Sequence, residues 1–132
     1  MKKLFAILLL FGTFLSVLSA CGTESGANAD LVFVNDSDAV IVEVVVDFED
    51  QSEGARRADS CPLNRGETFG FETGQYPVTV AVYDASLERS DQKQLASLTI
   101  PEAPSDGERW YVTAQDGENG LVLNVSETLP EK

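Results

Sequence analysis

The sequence predicts an all-β fold: two antiparallel sheets packed as a sandwich of about seven strands, behind a helical signal peptide. Three observations carry this. Short runs of β-branched and aromatic residues recur at intervals of about 8–18 residues between Leu31 and Ser126. Clusters of Gly, Pro, Asn, Asp and Ser separate them, residues that bond their own backbone and end strands. No segment after residue 30 holds the i, i+3, i+4 spacing of an amphipathic helix. At 132 residues the chain has room for one domain.

Taken in order, Leu31-Val32-Phe33-Val34 is the first strand and stops at the turn cluster Asn35-Asp36-Ser37-Asp38. Val40 to Phe48 follows, with Val40, Val42, Val44, Val46 and Phe48 on one face. The other face carries Ile41, Glu43, Val45 and Asp47 and is partly wet. Such β-branched density opposes a helix and suits the pleat. Glu49 to Asp59 is polar, a long loop or a weak edge strand. After the turn Leu63-Asn64-Arg65-Gly66, Glu67 to Glu72 places Phe69 and Phe71 on one face. Pro77 leads into Val78, Val80 and Val82, since proline fits only a strand start or an edge. Leu95 to Ile100 is a weaker strand closed by Pro101. Trp110, Val112 and Ala114 alternate with Tyr111 and Thr113. The glycine-bearing loop Asp116 to Gly120 then returns the chain into Leu121, Leu123 and Val125. The pattern is that of an immunoglobulin-like sandwich without its usual cysteine pair, with a small barrel as the alternative.

The first 30 residues read differently. Met1-Lys2-Lys3 is a short positive segment, and Leu4 to Leu18 is an uncharged run of 15 residues rich in Leu and Phe. A membrane-spanning helix wants about 20 apolar residues, so this length suits a signal peptide over residues 1–20. It ends at Leu18-Ser19-Ala20-Cys21, which resembles the lipobox of small bacterial lipoproteins: an aliphatic residue, two small residues, then Cys. That resemblance implies cleavage between Ala20 and Cys21, a diacylglycerol thioether on Cys21, fatty acylation of the palmitate kind, and a place on the extracytoplasmic side of a cell membrane or outer membrane. Two acyl chains hold a protein stably where one does not. Gly22, rather than Asp, after the Cys is compatible with transfer to an outer membrane.

Residues 21–30 form the lipidated Cys and a small polar tether, and the nine residues Gly22 to Asp30 reach at most about 30 Å. The sandwich is expected over 31–128, with 129–132 as a tail. A second likeness covers most of residues 31–84. The turn Val34-Asn35-Asp36-Ser37-Asp38, the entry Leu63-Asn64-Arg65-Gly66-Glu67-Thr68-Phe69 and the strand Tyr76 to Asp84 are similar to a layout recurring in small bacterial lipoproteins. It implies a surface-tethered sandwich and carries over no active site.

Composition excludes several function classes. The chain has 22 acidic and 9 basic residues, a net charge of −13 and a pI near 4.1, opposite to the clustered Lys and Arg that nucleic acid requires. Removing the leader takes Lys2 and Lys3 and leaves a net of −15. There is no His, which removes Ser-His-Asp and Cys-His catalysis and imidazole zinc sites. With Cys21 acylated, Cys61 is a lone thiol and no internal disulfide can form.

The remaining candidates each have a plainer reading. Asp36 and Asp38 flank Ser37 and could chelate calcium weakly, yet Asn and Asp also serve as ordinary turn formers. Asp47, Glu49 and Asp50 form a second acidic group at the end of the longest strand. Carboxylate pairs suited to glycoside hydrolysis arise by chance among so many acids. Cys61 has Arg56, Arg57 and Arg65 near in sequence but no base to activate it, and reads as a packed or loop thiol. Trp110, Tyr111, Tyr76 and Tyr83 could stack on a sugar, but alternation sends Trp110 and Tyr111 to opposite faces, and Trp110 reads as core. Asn124-Val125-Ser126 matches a glycosylation acceptor, uninformative if the host is bacterial. The sequence thus leads to a non-catalytic, cofactor-free envelope lipoprotein, a binding or adaptor module for a protein or glycan. The alternative is a structural accessory subunit of an envelope complex.

Overall fold

The computed structural model describes residues 28–87, 90–129 and 131. The expected signal peptide, its cleavage site after Ala20, the lipidation site Cys21 and most of the tether lie outside these residues. The described chain forms eight strands and no helix: β1 (Leu31–Asp36), β2 (Glu43–Phe48), β3 (Gln51–Ala55), β4 (Thr68–Phe71), β5 (Val78–Tyr83), β6 (Gln94–Ile100), β7 (Trp110–Gly117) and β8 (Gly120–Ser126). They build two four-stranded sheets, ordered β4-β1-β7-β8 and β3-β2-β5-β6. The all-β two-sheet sandwich is therefore the fold. The eighth strand is β3, the weaker alternative for the polar stretch after Phe48. Four of its five residues are exposed, and its place in the sheet comes from backbone pairing with β2.

One pairing departs from the antiparallel expectation. β1 and β7 run parallel, Leu31 opposite Trp110 through to Asp36 opposite Gln115. The chain reaches β7 from β6 in the other sheet, so no tight hairpin dictates its direction. Six of the strands follow the order of the immunoglobulin sandwich. β1 and β4 lie as its B and E strands, and β3-β2-β5-β6 as C′-C-F-G. The position beside B that strand A fills there belongs here to β7.

Alternation fills the space between the sheets. Leu31 and Phe33 of β1, Val44, Val46 and Phe48 of β2, Phe71 of β4, Val78, Val80 and Val82 of β5, Ile100 of β6, and Val112 and Ala114 of β7 form one buried cluster. β2 corrects the sequence reading at its start. The strand begins at Glu43, not Val40, and residues 37–42 form a loop that reverses the expected faces. Val40 is 58% exposed while Ile41 is fully buried. The Leu63 amide donates to the Ile41 carbonyl at 2.8 Å and holds that turn.

The β7–β8 hairpin closes on the pair Gly117 and Gly120, leaving Glu118 and Asn119 as a two-residue turn. Gly120 has φ 124°, which excludes most side chains. A Cβ on Gly117 would meet Val122 Cγ2 at 2.6 Å and the Gly120 carbonyl at 2.9 Å. Gly117→Ala is therefore expected to cost about 1–3 kcal/mol, as overpacking does. A chemical denaturation midpoint unchanged from wild type would show that the hairpin relaxes freely.

Pairing directions sort the loops. β1 and β7 run away from the point where the chain enters, and each antiparallel neighbour runs back. Residues 28–30, the β2–β3 turn, 72–77, 101–109 and Glu127 gather at this proximal end. Residues 37–42, 56–67, 84–87, 90–93 and the Glu118-Asn119 turn gather at the opposite, distal end.

Candidate functional site

Three loops meet at the distal end, and buried polar groups hold them in place. Asn35 is fully buried at the end of β1. Its Nδ2 donates to the carbonyls of Leu63 and Asn64 at 3.2 and 3.4 Å, and its Oδ1 accepts from the Ser37 amide and hydroxyl at 3.1 and 2.7 Å. One side chain thus ties the 37–42 loop to the 56–67 loop. The Gly66 amide also reaches the Asn35 carbonyl, at 2.6 Å. Gly66 has φ 91° and the Glu67 amide bonds to Asn64 O, a turn of the kind that requires glycine at its third position. The third loop is fastened where the Leu87 amide donates to Glu43 Oε2 at 2.5 Å, and at its base by Lys93 N to Asp84 Oδ1 at 2.7 Å.

Between these loops lies a groove of about 600 Å³. Val40 and Val42 come from the first loop, Arg56, Ser60 and Pro62 from the second, and Asp84 and Ser86 from the third. Its walls pair an apolar surface with a guanidinium, a carboxylate and two hydroxyls. Val40 and Leu87 are exposed large apolar residues at the same end. In the immunoglobulin sandwich the B–C, C′–C″ and F–G loops at one end bind ligands in variable domains, and the present loops follow B, C′ and F. A second groove, about 650 Å³, lies on the outer face of the β4-β1-β7-β8 sheet. There Leu129 and Glu131 of the tail stand over Val34, Thr68 and Thr113.

The acidic pair Asp36 and Asp38 does come together, around a cation supplied by the chain. Arg65 Nη1 lies 3.3 Å from Asp36, and its Nη2 lies 3.1 Å from Asp38 and 3.3 Å from Asp116. The Asp38 amide donates to Asp116 Oδ2 at 2.9 Å. The guanidinium lies between the carboxylates that a calcium ion would need, and no group of three or more His, Cys, Asp or Glu side chains among the described residues is arranged to hold a metal ion. The side chains in these pairs are about half exposed or more, so each pair contributes little and is screened by salt. Arg65→Ala should lower stability by about 1 kcal/mol at low salt and by less at 1 M salt. A loss that grows with salt would show that packing of the Arg65 stem, not charge, is what matters.

Other sequence candidates are dispersed. Cys61 is an exposed, free loop thiol whose amide donates to Asp59 Oδ1 at 3.0 Å. That bond, with Arg57 beside it, holds the Asp59 carboxyl below its usual range. Arg57 contacts Asp59, Glu67 and the Pro62 carbonyl, so its charge is directed at carboxylates. Trp110 packs against the core and donates from Nε1 to the Glu102 carbonyl at 2.9 Å. Tyr83 sits on β5 and Tyr111 on β7, in different sheets, so these two make no common platform. Asn124 donates to Gln115 Oε1 at 2.9 Å on a sheet face.

Sequence reasoning missed a carboxylate at the proximal end. Asp30, read as the last tether residue, accepts four hydrogen bonds: Thr73 N and Oγ1 at 2.6 Å each, Gly74 N at 3.1 Å and the Tyr76 hydroxyl at 2.9 Å. Burial alone would raise its pKa, but these donors outweigh it and hold the carboxyl below the usual value. Burial, with the Asp30 charge beside it, pushes the Tyr76 hydroxyl up to about 12. Ala29 is buried as well, so the folded domain begins before Leu31. The only local signal was an acid directly before the first strand. Its partners lie 43 to 46 positions away.

Comparison with protein-family models, with curated proteins and with solved structures finds no match to this chain.

Proposed function

We propose that this chain is a bacterial cell-envelope lipoprotein, anchored through a diacylglyceryl Cys21, whose non-catalytic sandwich presents a binding surface to a protein or glycan. The observation that carries the reading is a polarity of the fold. The chain enters the domain at one end, clamped through Asp30. The three-loop groove with Val40, Arg56 and Asp84 lies at the other end. Strands of six residues separate the two by about 20 Å. A lipid-tethered domain of this shape would hold its loop end outward, where ligands are reached, and rigid scaffolds commonly carry binding on such loops. The membrane attachment must come from lipid, because an acidic domain is repelled by anionic headgroups.

Site-specific photo-cross-linkers in native membranes test the reading, placed at Val40 and Leu87 at the distal end and at Glu49 and Glu72 at the proximal end. A glycan array is probed in parallel with the purified chain. The expected result is a discrete cross-linked partner, or a glycan signal, that Arg56→Glu abolishes, with nothing captured from Glu49 or Glu72. Cross-links distributed over both ends, with a silent glycan array, would instead assign the chain to an envelope assembly as a structural accessory subunit.

A further inference from the structure

Two four-stranded sheets leave four edges, β4 and β8 in one sheet and β3 and β6 in the other. An edge strand offers a row of backbone donors and acceptors to any extended chain, and folds blunt such edges by brevity, charge, bulges or proline. Three of the four are blunted here. β4 has only four residues. β3 has five, exposed and polar, with Glu53 in its middle. β6 carries a register irregularity opposite Val82 and Tyr83 and runs into Pro101.

β8 has none of these devices; β6 of the facing sheet approaches it, but among the described residues no backbone hydrogen bond joins the two strands. It is seven residues long, Gly-Leu-Val-Leu-Asn-Val-Ser, without charge or proline, and its register with β7 is unbroken from Gly117–Gly120 to Tyr111–Ser126. Antiparallel pairing engages alternate residues, so the intervening residues of β8 turn their N–H and C=O groups away from β7. Among the described residues, no loop backbone bonds to β8 from outside its ladder. Val122 is 45% exposed. Val125, which shares a face with the core-facing Leu121 and Leu123, is still 39% exposed. The exposed Leu129 follows shortly after.

The charges around β8 select its partner. Glu118 stands in the turn before it and Glu127 directly after it. Glu127 accepts bonds from the Ser105 amide and hydroxyl, both at 2.8 Å, which favour its ionised form. Antiparallel pairing of two copies through β8 would set Glu118 of one beside Glu127 of the other, on a chain already strongly acidic. A second copy is therefore the wrong occupant. We propose that β8 is a docking edge for an extended segment of a partner protein: about seven uncharged, β-branched residues flanked by Lys or Arg, added as a fifth strand to the β4-β1-β7-β8 sheet. This edge is separate from the distal groove and does not depend on the role given to that groove.

The probe is a fluorescent peptide of alternating Thr and Val, seven residues long with two Lys at each end, titrated into the full-length chain in detergent. Two further peptides carry N-methyl groups on one or the other alternate set of amides. Strand addition uses a single edge of the peptide, so one methylated set should weaken binding about tenfold or more while the other leaves it nearly unchanged. Hydrogen exchange at the outward amides of β8 should slow on binding, and Val122→Lys should weaken it by repelling the peptide's lysines. Equal sensitivity to both methylated sets would overturn the proposal. So would binding without protection in β8, absence of binding at millimolar peptide, or self-association of the chain through β8.

Discussion

Phe33→Ala is expected to destabilise the domain by about 4 kcal/mol, the range found when a buried Phe loses its ring and leaves a cavity. Phe33 sits in the middle of β1, opposite Phe69 on β4 and Val112 on β7, and is fully excluded from solvent. β1 is also an interior strand that joins an antiparallel and a parallel neighbour, so few other elements can close around the gap. A domain of about 100 residues has only about 5–15 kcal/mol in total. The variant should therefore be close to unfolding at growth temperature. Denaturant titration measures this directly, with Phe33→Leu as a control expected to lose under about 1.5 kcal/mol. A loss below 1 kcal/mol for the alanine variant would mean that the two sheets do not pack on this ring.

Asp30→Ala should have the next largest effect, about 2–3 kcal/mol. Removing the carboxylate leaves the amides of Thr73 and Gly74 and the hydroxyls of Thr73 and Tyr76 without their acceptor. Each stranded donor costs of order 1 kcal/mol or more where it is shielded, and less where water reaches it, as at Gly74. Asp30→Asn should fall between, since it keeps one acceptor oxygen and points an amide group at donors. The same site predicts a pH dependence. The folded pKa of Asp30 is lowered relative to 3.8. Its contribution is thus fully present above that unfolded value and disappears as the pH falls through the lower folded value. Wild type should lose stability below about pH 4 more steeply than Asp30→Asn, measured by urea midpoints at several pH values. Parallel acid profiles for the two proteins would contradict the clamp.

The strands were legible because burial is written locally. Val44, Val46 and Phe48, or Val78, Val80 and Val82, alternate in a way that only a pleat explains, and Phe69 and Phe71 mark a shared face just after the Gly66 turn. The parts that were not legible depend on distant partners. β3 has no apolar face, so nothing in Gln51–Ala55 distinguishes a strand held by the backbone of β2 from a loop. The parallel contact of β1 with β7 joins segments some 80 residues apart and leaves no trace in periodicity. Strand alternation carried through residues 40–42 places Ile41 on the wet face. In the folded chain those residues turn, and Leu63 holds the turn. At the candidate site, Asp36 and Asp38 are visible in the sequence as a pair, but the cation between them is not, since Arg65 lies 27 to 29 positions away in the turn before β4. The distal groove was equally invisible, because its wall comes from three loops whose common end is set by strand direction alone.

The proposed function places a lipid anchor at one end of the sandwich and a binding surface at the other, and it rests first on the anchor. Intact-mass analysis of the protein extracted from its own membranes, beside a Cys21→Ser variant, tests it most directly. The prediction is a chain that begins at Cys21, carries the added mass of a diacylglyceryl group and fatty acyl chains, and partitions into detergent, while the Cys21→Ser protein keeps its leader and lacks the lipid mass. A mature chain beginning at any other residue, or one beginning at Cys21 with no lipid mass, would contradict it.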